Sequence, residues 1–193
     1  MRAYSGFKSE ASSSKPKMLP AGPYVAKIKG VKIEGREPDQ TLILRVDVCE
    51  GPYTNYFFNR YTAESKSSRY DVKYKGDYKL RIPNDENTKA LYPENDIKRF
   101  NDAIFRIEKS NEGYHWDWNE QGLKGLTVGI NMQEDEYNGY KFTKIGKLEI
   151  ADDVRAGIVK PMEPKKKRGD ADDSAHIDQQ SGFVAVETDE LPF

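Results

Sequence analysis

The chain has 193 residues, with 31 Lys and Arg against 32 Asp and Glu and a hydrophobic content of 36%. That length and apolar content suit one modest core with tails, and no run of 18 apolar residues offers a membrane span. The opening Met1–Phe7 lacks the apolar segment of a secretory signal, and Cys49 has no second cysteine to pair with, so a reducing cytoplasm is the expected setting.

Residues 1–18 are rich in Ser, Lys and Ala around Ser12-Ser13-Ser14 and read as a flexible lead-in. Structure is expected from Leu19-Pro20-Ala21-Gly22. Tyr24, Ala26 and Ile28 then alternate with Lys27 and Lys29, as in a half-buried strand. Past Gly30 the apolar phase moves to Val31 and Ile33. A slip of one residue turns side chains to the other face, so Gly30 marks a bulge or sharp bend. A second strand sets Leu42, Leu44, Val46 and Val48 on one face and Ile43, Arg45 and Asp47 on the other, and Gly51-Pro52 ends it. Cys49 closes this apolar run and reads as a packed thiol. A third strand is expected over about Tyr53 to Tyr61. Residues 62–92 are polar, and a stretch that long calls for a short helix or an extra hairpin.

Ile97, Phe100, Ile104 and Ile107 fall at helical spacing, after capping residues in Pro93-Glu94-Asn95-Asp96 and before the stop Asn111-Glu112-Gly113. Leu126, Val128, Ile130 and Met132 define a fourth strand. Asn138-Gly139, between Tyr137 and Tyr140, is a two-residue hairpin turn. Tyr140, Phe142, Leu148 and Ile150 define the fifth strand. Three strands, a helix and two strands make a mainly β chain with one helix. That order matches the oligonucleotide-binding (OB) fold, a five-stranded Greek-key barrel, over residues 19–160. A basic linker, 161–169, carries Lys165-Lys166-Lys167-Arg168, read as solvation with a modest phosphate contribution. Residues 170–193 hold too little apolar content to pack and are expected to be a disordered acidic tail.

The near-zero net charge hides a division. Residues 170–193 contain seven acids and no Lys or Arg; removing those seven from 32 leaves 25 acids against 31 bases. The body therefore carries about +6 and the tail about −7, which suggests a polyanionic partner and a tail that competes with it.

Single-stranded DNA exposes phosphates and unstacked base faces, so a binder needs Lys and Arg along a groove with aromatic rings between them. The stretch Tyr53–Arg81 has that composition. About half of its aromatics, Tyr56 and Phe58 among them, are expected to be core. Arg60, Tyr61, Arg69, Tyr70, Lys73, Tyr74, Lys75, Tyr78 and Lys79 are the candidate contacts, with Tyr61, Tyr70, Tyr74 and Tyr78 as stacking rings. Trp116 and Trp118 are further candidates; in an extended segment they face one side, and one can anchor the helix exit in the core. Tyr137 and Tyr140 suit either a DNA clamp or cross-strand packing. Chemistry finds few groups. His115 and His176 are the only histidines, and metal-ligand spacings, a phosphate-binding loop and a nucleophile elbow are all missing, so no enzyme, cofactor or metal is expected. The acid clusters Glu134-Asp135-Glu136 and Asp152-Asp153 read as solvated rather than as nuclease ligands.

The chain ends Asp189-Glu190-Leu191-Pro192-Phe193. This resembles the tip of bacterial and phage single-stranded DNA-binding proteins, which close on acids followed by an apolar residue, Pro and Phe. The body is similar to a divergent group from phages and prophages of Gram-positive bacteria, through Leu19-Pro20-Ala21-Gly22-Pro23-Tyr24-Val25, Trp116-Asp117-Trp118 and Leu123-Lys124-Gly125-Leu126-Thr127-Val128-Gly129. The resemblance implies non-sequence-specific binding and protection of single-stranded DNA during replication or recombination in a bacterial cytoplasm. It implies docking of replication or recombination proteins through Asp189, Glu190, Leu191, Pro192 and Phe193. A homo-oligomer, a dimer before a monomer, fits that role. Two other readings stay open: a strand-annealing or recombination mediator, and a protein-only adaptor that uses the tail to reach host enzymes.

Overall fold

The computed structural model describes residues 18–84 and 93–165. The lead-in up to residue 17, residues 85–92 of the unassigned polar stretch, and everything from Lys166 through the acidic tail to Phe193 lie outside the described residues.

Two long strands open the structure, β1 (Gly22–Glu34) and β2 (Thr41–Val48), paired antiparallel. Their register shifts between Ile28 and Gly30, so the bulge expected at Gly30 is present. Further on come β3 (Asp77–Arg81), β4 (Thr127–Tyr137) and β5 (Tyr140–Glu149). The five strands form one antiparallel sheet in the order β3-β2-β1-β4-β5. β3 and β5 are its two edges, and the sheet is open. Asn138 and Gly139 make the β4–β5 turn with φ of 50° and 79°, the left-handed pair that a tight hairpin requires.

Three helices accompany the sheet among the described residues, where one was expected: α1 (Tyr56–Ser67), α2 (Pro93–Lys109) and α3 (Ala151–Arg155). α1 replaces the third strand expected over Tyr53–Tyr61. The cause is a partner the local pattern does not reveal. Asp47, 1% exposed, accepts the N–H groups of Phe57 at 2.9 Å and Phe58 at 3.1 Å. Its negative charge satisfies two orphan donors at the positive end of the helix and so fixes the first turn. Asn55, the residue before the helix, offers no side-chain cap of its own. An Arg60–Glu64 pair one turn apart, at 2.6 Å, adds local support.

The inward face of the sheet and α2 make the core. Ala26, Ile28, Leu42, Leu44, Val46, Val48, Leu80, Val128, Ile130 and Met132 are all buried. α2 packs on β3, β4 and β5 and lays Phe100, Ile104 and Ile107 on the core, as their spacing predicts. Ile97 departs from that prediction: it lies near the start of the helix and is 43% exposed. β5 departs too. Met132 pairs with Ile145 while Asn131 pairs with Lys147, so Gly146 is an extra residue. The phase flips there, which buries Ile145 and Leu148 and leaves Tyr140 and Phe142 at the surface.

Beyond α3 the chain lies along β4 as a strap. Asn131 Nδ2 donates to the Lys160 carbonyl at 2.9 Å, Gln133 Nε2 to the Glu163 carbonyl at 2.8 Å, and the Lys165 N–H to the Glu134 carbonyl at 2.9 Å. The Met162 sulfur fills the notch at Gly146, where a Cβ would lie 2.5 Å from it. The boundary expected between domain and linker at 160/161 falls inside this strap. Val154 of α3 packs over Gly129 in the same manner. α3 and the strap thus occupy the β4 side of the outer face, while the outer face of β2 meets α1 and the loop before β3.

Candidate functional site

Arg45 and Asp47 point away from the core on β2, and β1 places Gly30 and Lys27 opposite them. α1 rises from this face because Asp47 caps it. Its residues Phe58 and Tyr61, three apart, share one side of the helix, and Asn55 precedes it. That side faces Tyr74, which the loop before β3 brings back over β2. The loop approaches closely: the Val46 N–H donates to the Gly76 carbonyl at 2.9 Å, and a Cβ on Gly76 would lie 2.4 Å from the Val46 carbonyl oxygen. Only glycine fits there.

The result is a hollow of about 560 Å3 lined by Lys29, Arg45, Asp47, Asn55, Phe58, Tyr61 and Tyr74. Phe58 is 59% exposed and Tyr61 38%. The Tyr74 ring lies 5.8 Å from that of Tyr61 and 6.3 Å from that of Phe57, centroid to centroid. The Arg45 guanidinium sits over Tyr74, 4.7 Å from the ring centroid. Arg45 is also held by both oxygens of Asp77, at 2.9 and 3.1 Å. The Tyr74 hydroxyl donates to the Val46 carbonyl at 3.2 Å. Burial, followed by the nearby Asp47 carboxylate, pushes the Tyr74 phenol far above its usual range, so it stays a neutral donor. A second hollow of about 180 Å3 continues along the sheet from Arg45 to Lys32, Glu34 and Ile43. There the Lys32 ammonium, 2.8 Å from Glu34, holds the Glu34 carboxyl below its usual range.

The residues expected from the sequence divide. Tyr61 and Tyr74 line the hollow. Lys73 and Lys75 are exposed on either side of Tyr74, and Arg69 and Tyr70 are exposed farther back in the same loop, Tyr70 at 87%. Lys79 is exposed on β3, opposite Ile43. Arg60 is turned away and committed: its guanidinium meets Glu64 and the Tyr56 hydroxyl. Tyr78, expected as a stacking ring, is a core residue at 4% exposure, because the inward phase of β3 falls on Tyr78 and Leu80. Trp116 and Trp118 form a cluster of their own on α2. Trp116 is partly buried against the core with its ring 6.3 Å from Phe100. Trp118 stacks flat on Phe100 at 5.9 Å and 14°, is 64% exposed, and adopts φ of 63°. A bulky side chain in that left-handed region costs about 1–3 kcal/mol, which the surrounding packing must offset. Trp116 is therefore the anchor at the helix exit. Sequence reasoning missed Lys29, Arg45, Asp47 and Asn55, and it set Phe58 among the core aromatics although that ring is 59% exposed. The three-residue spacing of Phe58 and Tyr61 was the available signal.

Cys49 is half-buried, and burial raises its thiol pKa, which makes it less reactive. Among the described residues no cluster of three His, Cys, Asp or Glu side chains could hold a metal, and no helix is long and apolar enough to cross a membrane. No protein-family model matches the chain, and a search of curated proteins finds no relative.

Proposed function

We propose that this protein binds single-stranded DNA without sequence preference, protects it during phage or prophage replication or recombination in the bacterial cytoplasm, and recruits partner enzymes through Asp189–Phe193. The observation that carries this reading is the hollow on the outer face of β2, where exposed aromatic rings meet Lys29 and Arg45. The strand order supports it. β3-β2-β1-β4-β5, with α2 packed on both edge strands, is the order of a Greek-key OB barrel left open between β3 and β5. In that fold the face of strands two and three, with the loops 1–2 and 4–5, takes oligonucleotides. Tyr137 and Tyr140, 71% and 79% exposed, flank the β4–β5 loop. The role in this reading is binding, not catalysis.

Anisotropy titrations of one labelled sequence, single-stranded and duplex, at two salt concentrations test it. The single strand binds more tightly, and its affinity falls as salt rises through counterion release. Equal affinity for the duplex, or a flat salt response, contradicts the reading.

A further inference from the structure

We infer that the hollow between α1 and β2 takes one unstacked base, that Arg45 serves as a wall of that stack and not as a phosphate contact, and that Asp77 is the residue that positions it. This rests on the single-stranded DNA reading above.

The polar groups around the hollow are largely spoken for. The Arg45 charge is matched by both oxygens of Asp77. The Tyr74 hydroxyl is held by the Val46 carbonyl. Both Asp47 oxygens accept N–H groups of the first turn of α1. What the walls offer an entering group is mainly flat surface: the Phe58 ring, the Tyr61 ring, and a guanidinium plane whose side chain is 52% exposed although Tyr74 lies against it. Aromatic and guanidinium planes of this kind favour a flat, uncharged, polarisable ligand, which a nucleobase is and a phosphate is not. Lys29 on the wall and Lys32 in the adjoining hollow supply cations for the phosphates on either side. Arg45 belongs to both hollows, so one planar group separates a base position from the path of the backbone.

The test titrates the full chain with an oligothymidylate and with an abasic oligomer of equal length and phosphate count. The wild type binds the oligothymidylate at least tenfold more tightly at the same salt. Phe58→Ala and Tyr61→Ala, both surface changes, each reduce that affinity roughly tenfold and leave the abasic affinity and the salt slope unchanged. Arg45→Lys keeps the charge and Asp77→Asn keeps the shape; both lose base-dependent affinity at unchanged salt slope, with thermal melting confirming the fold. Lys29→Ala instead lowers the salt slope by about one. The inference is overturned if the wild type binds both oligomers equally, if Arg45→Lys matches the wild type, or if Arg45→Ala lowers the salt slope as Lys29→Ala does. A wild type that binds neither oligomer overturns the single-stranded DNA reading itself. One that binds an apolar peptide in their place makes the hollow a protein site.

Discussion

Asp47 shapes the candidate site more than any residue with an exposed ring. It is a buried carboxylate in an apolar strand, normally an expensive placement, and it is offset by N–H groups of Val48, Phe57 and Phe58. Without it, α1 loses the charge at its positive end and three N–H donors lose their acceptor. Asp47→Ala is expected to destabilise the fold by about 2–3 kcal/mol in denaturant unfolding, since hydrogen bonds to a charged group are worth about 1.5–3 kcal/mol. A loss below 0.5 kcal/mol would show that α1 stands without this cap. The sequence displays Asp47 as an outward residue of a strand, and that much was legible. Its helix-capping role depends on a contact ten residues away and carries no local pattern. Tyr78 is the converse case: basic neighbours suggested a surface ring, but strand alternation with Leu80 decides its face.

At the scale of elements, β1, β2, β4, the hairpin turn and α2 follow from periodicity because each buries one face against a fixed partner. The run Tyr53–Tyr61 did not, since its aromatics satisfy a strand and a helix equally until Asp47 selects between them. The β5 phase was misread for a similar reason, as a bulge at Gly146 inverts the alternation halfway along. That bulge is where the strap sits. A chain stopped after residue 157 loses three strap hydrogen bonds and the Met162 contact. It should lose about 2–3 kcal/mol, a drop of roughly 5–10 °C in melting temperature, while a chain stopped after residue 169 melts like the full chain. Equal melting of all three would remove the strap from the folded unit. Gly146→Val, which collides with the Met162 sulfur, should reproduce the loss in an otherwise full-length chain.

For the whole molecule, paired charges set how stability responds to acid. Glu50 beside Arg155, Asp135 beside Lys144 and Glu34 beside Lys32 all have carboxyl pKa values held below the usual range. A depressed folded pKa means the unfolded chain takes up protons first as pH falls. The contribution of these pairs is fully present above the unfolded carboxylate range near pH 4 and is lost as pH drops through the lower folded values. Melting temperature should therefore be level from about pH 5 to neutrality and fall below about pH 4, and Glu50→Gln should shrink that fall. A melting temperature that rises on acidification would contradict the assignment. The division between a basic body and an acidic tail was legible from composition alone. The make-up of the hollow was not, because it joins β1, β2, α1 and a loop spread over residues 29–74.

Photo-crosslinking of a single-stranded oligomer carrying 5-iododeoxyuridine, followed by peptide mapping, tests whether the hollow holds DNA. Crosslinks are expected at Phe58, Tyr61 or Tyr74, whose rings line the hollow. Crosslinks confined to Trp118, or to Tyr137 and Tyr140, would move the DNA path to another face of the molecule, and no crosslink at any of these residues would contradict the claim outright.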